Sequence, residues 1–164
     1  MSLATVVCVT TDATETRDDL AFGKEDLFDI PGATFETSHD LENEEEYEER
    51  VADFLTCMKR IGAKVDYQAQ SFTITEEVVQ NHFAKRFTKL RELVNKLTPS
   101  QFASNSDGSL WSIKDAIEEK YTDGVYENGN YRTLDSFLRS TSCEVRRKKE
   151  SITYYIRGAV DVHY

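Results

Sequence analysis

Three cysteines and three histidines are the residues from which nucleophilic or metal chemistry would have to be built. Cys8, Cys57 and Cys143 lie far apart with no CxxC pair, and His39, His82 and His163 are isolated, so no HxxxH or HExxH spacing sets two metal ligands on one helix face. No Walker loop, GxGxxG or GxSxG is present either. A thiol such as Cys8 or Cys143 activated by His39 or His163 needs partners that meet only in space, and nothing in the spacing singles out one pair. Each cysteine is expected to be a small buried apolar side chain. Asp12, Asp18 and Asp19 follow the first apolar run, where α/β folds often place metal-binding carboxylates. A magnesium site needs further acids converging on them, and as they stand they read as solvated loop acids. No catalytic residue is assigned, no metal or cofactor is expected, and an enzyme of unrecognised type is the least favoured reading.

Charge carries more information. The 164 residues have a net charge of −10, and the first 50 alone hold 15 acids against three bases, a balance of −12, which leaves +2 for the rest. Asp18, Asp19, Glu25, Asp26, Glu42, Glu44, Glu45, Glu48 and Glu49 form the candidate binding face. Like charges gathered in one region select an oppositely charged surface, so the expected partner is a basic protein surface. Carboxylates spaced along a helix and loop also resemble phosphates, so a non-catalytic inhibitor of the phage or mobile-element type, occupying a nucleic-acid-binding groove, is the leading expectation. The plain alternative is a solvated helix start.

The C-terminal third supports a rival. Residues 131–164 carry seven bases against four acids, with Arg132, Arg139, Arg146, Arg147, Lys148 and Lys149 as candidate phosphate contacts. Helix, turn-rich link, short helix and hairpin is the order of a winged helix-turn-helix, which would make 109–164 a nucleic-acid-binding regulator. Four consecutive bases on an edge strand also serve to block aggregation.

These side chains must be positioned by an α+β fold. Ala4 to Thr10, with Val at 6, 7 and 9, reads as a strand buried on both faces, and Thr11 to Gly32 as a long acidic loop tacked down by isolated apolar residues. Ala33 to Thr37 is expected to be a short strand. A helix over 42–61 follows, with Tyr47, Val51, Phe54, Leu55, Met58 and Ile61 on one face and Gly62 as terminator. Lys64 to Thr75 reads as a strand bent near Ser71, and 76–97 as a second helix whose Val79, Phe83, Phe87, Leu90, Val94 and Leu97 form a seam that suits a core or an oligomer interface. The expected architecture is a small mixed sheet covered by these two helices, with 1–99 as an acidic domain and 100–109 as a link. Residues 110–164 then form a helix, helix and hairpin part, packed separately or into the same domain. In that part a helix over Leu110 to Tyr121 is anchored in the core by Trp111, Thr133 caps a short helix, and Cys143 to Lys149 pairs with Ile152 to Tyr164 as the hairpin.

Composition bounds the rest. A content of 39% hydrophobic and 11% aromatic residues supplies a core. No apolar run approaches the roughly 18 to 20 residues of a membrane span, and Met1 to Thr11 has no Lys or Arg, so a cytoplasmic protein without membrane contact is expected. The sparse cysteines fit a reducing compartment.

Overall fold

The β-branched run at the start of the chain forms β1 (Leu3–Thr10), and every residue in it after Leu3 is buried. The computed structural model describes residues 3–28, 30, 38–117 and 122–164. It is an α+β protein, 51% helical and 25% strand, with one mixed seven-stranded sheet and six helices among the described residues. The short strand expected at 33–37 lies outside the described residues.

The elements of the first unit (1–79 and 121–164) follow in chain order. A single turn of helix, α1 (Arg17–Leu20), and a 3-10 turn at Lys24–Leu27 lead to β2 (His39–Asp40) and α2 (Glu44–Arg60). Next come β3 (Lys64–Asp66), β4 (Ser71–Ile74) and the start of α3 (Glu76–Lys96). The unit resumes with β5 (Gly124–Glu127), β6 (Asn130–Thr133), α6 (Leu134–Lys148) and β7 (Ile152–His163). The strand order is β3-β4-β7-β1-β5-β6, with β2 also paired to β7. Only β1 and β5 run parallel among these pairs.

Three local signals set the bounds of α2 and of the two hairpins. The Asn43 side chain accepts the Glu45 N–H to open α2, the acids of its first turn lie at the positive end of the helix dipole, and Gly62 at φ 97° ends it. Gln70 at φ 50° closes the turn between β3 and β4, so the strand expected over 64–75 is two strands. Asn128 at φ 49° and Gly129 at φ 79° make the two-residue left-handed turn that joins β5 to β6.

The C-terminal hairpin does not form. Residues 143–148, expected as its first strand, are the last turns of α6, and β7 enters the middle of the sheet between β1 and β4. The reason is the face that α6 buries: Phe137, Leu138, Thr141, Ser142 and Val145 recur at helical spacing, with hydroxyl groups standing where apolar ones would reveal the period. Arg146, Arg147 and Lys148 sit at the carboxyl end of this helix, where cations complement the dipole, and Lys149 caps it at φ 53°.

β7 is buried on one face in its first half and on both in its second. The switch comes at a bulge: Cys8 pairs with Gly158 and Val9 with Ile156, which leaves Arg157 unopposed and reverses the parity. Before the bulge, Tyr154 joins Phe72 of β4, Phe54 of α2 and Phe137 of α6 in an aromatic cluster with ring centroids 5.0–6.2 Å apart. After it, Val160 and Val162 lie with Val6 against Leu27 and Ile30 of the acidic segment. Phe22 packs so closely over Gly158 that a Cβ there would sit 2.9 Å from its ring. Phe22, Leu27 and Ile30 therefore fix their part of the acidic segment to the sheet, whereas Phe28 stands 72% exposed.

Two carboxylates are built in among the central strands, Asp161 on β7 and Asp123 just before β5. Asp161 is 1% exposed and accepts from Arg50 Nε at 2.9 and 3.2 Å and from Thr5 Oγ1 at 3.1 Å. Asp123 accepts the Thr5 N–H at 2.9 Å and tethers the start of β5 to β1. Its carboxyl is pushed above the ordinary range, mainly by burial and further by Asp161 and Asp53, against the pull of the Thr5 N–H. A carboxylate whose folded pKa is raised binds its proton more tightly in the native state, so the stability it confers is complete below the unfolded pKa and is lost as pH rises through the folded value. Asp123→Asn retains an oxygen for the Thr5 N–H and removes the charge. Its melting midpoint should exceed wild type at pH 7, and the difference should disappear by about pH 3. An equal gain at both values would mean that charge is not the cause.

The second unit, Gln80–Lys120, contains the rest of α3, α4 (Pro99–Ser104) and α5 (Ser109–Ile117). Thr98 and Gln101 make a capping box around Pro99, which starts α4 as well as following α3. No described residue of 80–117 is buried. Phe87, Phe102 and Trp111 are 62%, 67% and 64% exposed, so Trp111 is not the core anchor that its apolar neighbours suggest.

Candidate functional site

The acidic segment begins with a strongly capped turn. Thr16 N–H and Oγ1 both donate to Asp19 Oδ2 at 2.8 Å, and these bonds hold the Asp19 carboxyl below its usual range. Asp26 accepts the Gly23 N–H in the same manner, and the Lys24 N–H donates to Asp40 at 2.6 Å, which joins the 3-10 turn to β2. Arg17 then ties α1 to α2: Nη1 lies 3.1 Å from Glu44 Oε2, Nη2 donates to the Leu41 carbonyl at 3.0 Å, and the guanidinium stands 3.7 Å over the Tyr47 ring.

Segments far apart in sequence are thus stitched together around Arg17 and Lys24. Asp18, Asp19, Glu25, Asp26, Glu42, Glu44, Glu45, Glu48 and Glu49 are all exposed. Lys24, His39, Asp40, Glu42, Asn43 and Glu46 line an open cleft of about 500 Å³ where the 3-10 turn, β2 and α2 meet. Further along α2, Glu48 stands at a second groove with Val51, Leu55 and Tyr67.

The basic candidates are dispersed by comparison. Arg132 on β6 faces Glu127 at 3.5 Å, Arg146 pairs with Glu76 of α3, and Arg139 is on an earlier turn of α6. Arg146 to Lys149 end a helix, so they neither approach a wing nor guard an edge strand.

Cys8 is 4% exposed, and burial, with smaller contributions from Asp26 and Glu15, pushes its thiol up to about 12, far from the thiolate that a nucleophile requires. Cys57 is also raised by burial, and Cys143, expected to be buried, is exposed. The His39 and His163 rings face each other at 5.9 Å. Asp12 accepts from the Thr14 N–H and hydroxyl, as a turn acid does, and no group of three or more His, Cys, Asp or Glu that could hold a metal ion occurs among the described residues. No described helix is long and apolar enough to cross a membrane. Sequence reasoning missed the polar cavity walled by Glu127, Arg132, Glu144 and Tyr154. Asn128-Gly129, the turn that places Glu127 opposite Asn130, was the available signal. The chain matches no protein-family model, no curated protein and no solved structure.

Proposed function

We propose that this is a non-catalytic binding protein whose acidic surface, from Asp18 to Glu49, engages a basic protein surface in the manner of an inhibitor that blocks nucleic-acid binding. One observation carries the reading. Of the three bases among the first 50 residues, Arg17 is committed to Glu44 and the Leu41 carbonyl, and Arg50 is committed to buried Asp161. The cations nearest the acids serve the fold, and the excess negative charge stays on the surface, where it favours a cationic partner.

The test is capture of partners from a lysate by a variant in which Glu42, Glu45, Glu48 and Glu49 become Lys. Glu44 is left in place because it bridges Arg17. Capture of basic proteins should be lost while circular dichroism is unchanged. Undiminished capture would exclude the acidic surface as the binding element. Retardation of an oligonucleotide by the wild-type chain at low salt, weakening as salt rises, would move the reading to the basic residues of α6.

A further inference from the structure

The sheet opens where its parallel pair ends. β1 pairs with β5 as far as Cys8↔Tyr126 and with β7 as far as Thr10↔Tyr155, so Glu127 and Tyr154 each lie one residue past the last such pair. The carboxyl ends of parallel strands are where open sheets leave a crevice for small ligands. A cavity of about 230 Å³ occupies this position, lined by Glu127 and Arg132 of the β5–β6 hairpin, Ser140, Thr141 and Glu144 of α6, and Tyr154 of β7.

The walls of this cavity are polar, which excludes an apolar ligand, and its volume is below the roughly 300 Å³ at which drug-sized ligands begin. Arg132 Nη1 lies 3.5 Å from Glu127 Oε2, too long for a strong bond, so most of the guanidinium's donor capacity is open to a ligand carboxylate. Glu127 is desolvated, which raises its carboxyl pKa; Arg132 opposes the rise and Glu144 adds to it. Two carboxylates against one guanidinium leave a site that a small cation relieves. On the floor, Thr141 and Tyr154 are each 2% exposed and share a single hydrogen bond of 3.2 Å. Two hydroxyls carry two hydrogens, so one O–H remains to be donated.

We propose that this cavity binds a small zwitterion of the α-amino acid class, its carboxylate on Arg132, its ammonium between Glu127 and Glu144, and a ligand oxygen on the remaining hydroxyl of the Thr141–Tyr154 pair. The site shares no residue with the acidic surface and does not rest on that reading. The experiment is calorimetric titration and thermal shift of the full chain with each proteinogenic amino acid at millimolar concentration, beside ethylamine and acetate as single-charge probes. At least one amino acid should bind saturably and raise the melting midpoint, and both single-charge probes should bind at least about ten-fold more weakly. Glu144→Gln, at an exposed helical position, and Arg132→Gln should each weaken that amino acid by about ten-fold or more, as expected for loss of a charged hydrogen bond. Glu144→Gln carries the test alone if Arg132→Gln does not fold. Absence of binding by every amino acid, ethylamine binding as tightly as the amino acid, or unchanged affinity in the variants would each overturn the proposal.

Discussion

Arg50→Ala should destabilise the protein by about 3–5 kcal/mol, because it leaves a buried carboxylate without its counter-charge. Asp161 is 1% exposed on the central strand, and its remaining donor is the Thr5 hydroxyl, with His39 Nε2 beyond hydrogen-bonding reach at 3.9 Å. Asp161→Asn should be milder, about 1–2 kcal/mol, since an amide oxygen still accepts from Thr5 and Arg50, and the Arg50 side chain is 27% exposed and reaches water. The double change Arg50→Ala with Asp161→Ala should cost less than the sum of its parts, because the second substitution removes the charge that the first stranded. Urea denaturation of the wild type, Arg50→Ala, Asp161→Asn, Asp161→Ala and the double variant measures all three quantities. A cost for Arg50→Ala below about 1 kcal/mol, the range of exposed ion pairs, would show that water reaches Asp161.

Phe72→Ala should cost a similar amount, about 3–5 kcal/mol, for a different reason. Phe72 is fully buried and lies within 6.2 Å, ring to ring, of Phe54, Phe137 and Tyr154, which come from three other elements. Truncation leaves a void that both covering helices, α2 and α6, would have to close, and close-packed interiors relax only in part. Phe72→Leu, which keeps most of the volume, should lose clearly less. Equal losses for the two variants would mean that ring contacts rather than volume hold the cluster together. The near-ultraviolet circular dichroism, which reports the packing of Tyr154 and its neighbours, should fall in the alanine variant even where the helices persist.

What could be read in the sequence follows from how each element announces itself. α2 was legible because Tyr47, Val51, Phe54, Leu55 and Met58 are all buried and all apolar, and β1 because both its faces are covered. α6 was misread because Thr141 and Ser142 occupy buried positions and charged residues crowd its last turn. The seam of α3 was visible, yet Phe87 and Val94 stand 62% and 49% exposed, since periodicity shows that a face exists and does not show what meets it. The acidic surface could be seen as a charge count, but Arg17 as the residue that assembles it could not, because its partners lie 24 and 27 residues away. The cavity was invisible for the same reason: Glu127, Glu144 and Tyr154 meet only through the order in which the strands pair.

That order also governs when the fold can appear. Leu3 pairs with His163 and Thr10 with Tyr155, so the central ladder joins positions about 150 residues apart in the chain. Long-range pairings of this kind delay the transition state, and proteins dominated by them fold in milliseconds to seconds rather than microseconds. During synthesis Val6, Val7 and Val9 emerge ahead of both strands that flank β1, and the ladder is complete only when β5 and then β7 have left the ribosome. The fifteen carboxylates that follow within the first 50 residues give the unfolded chain an excess of one charge, which opposes association between its copies.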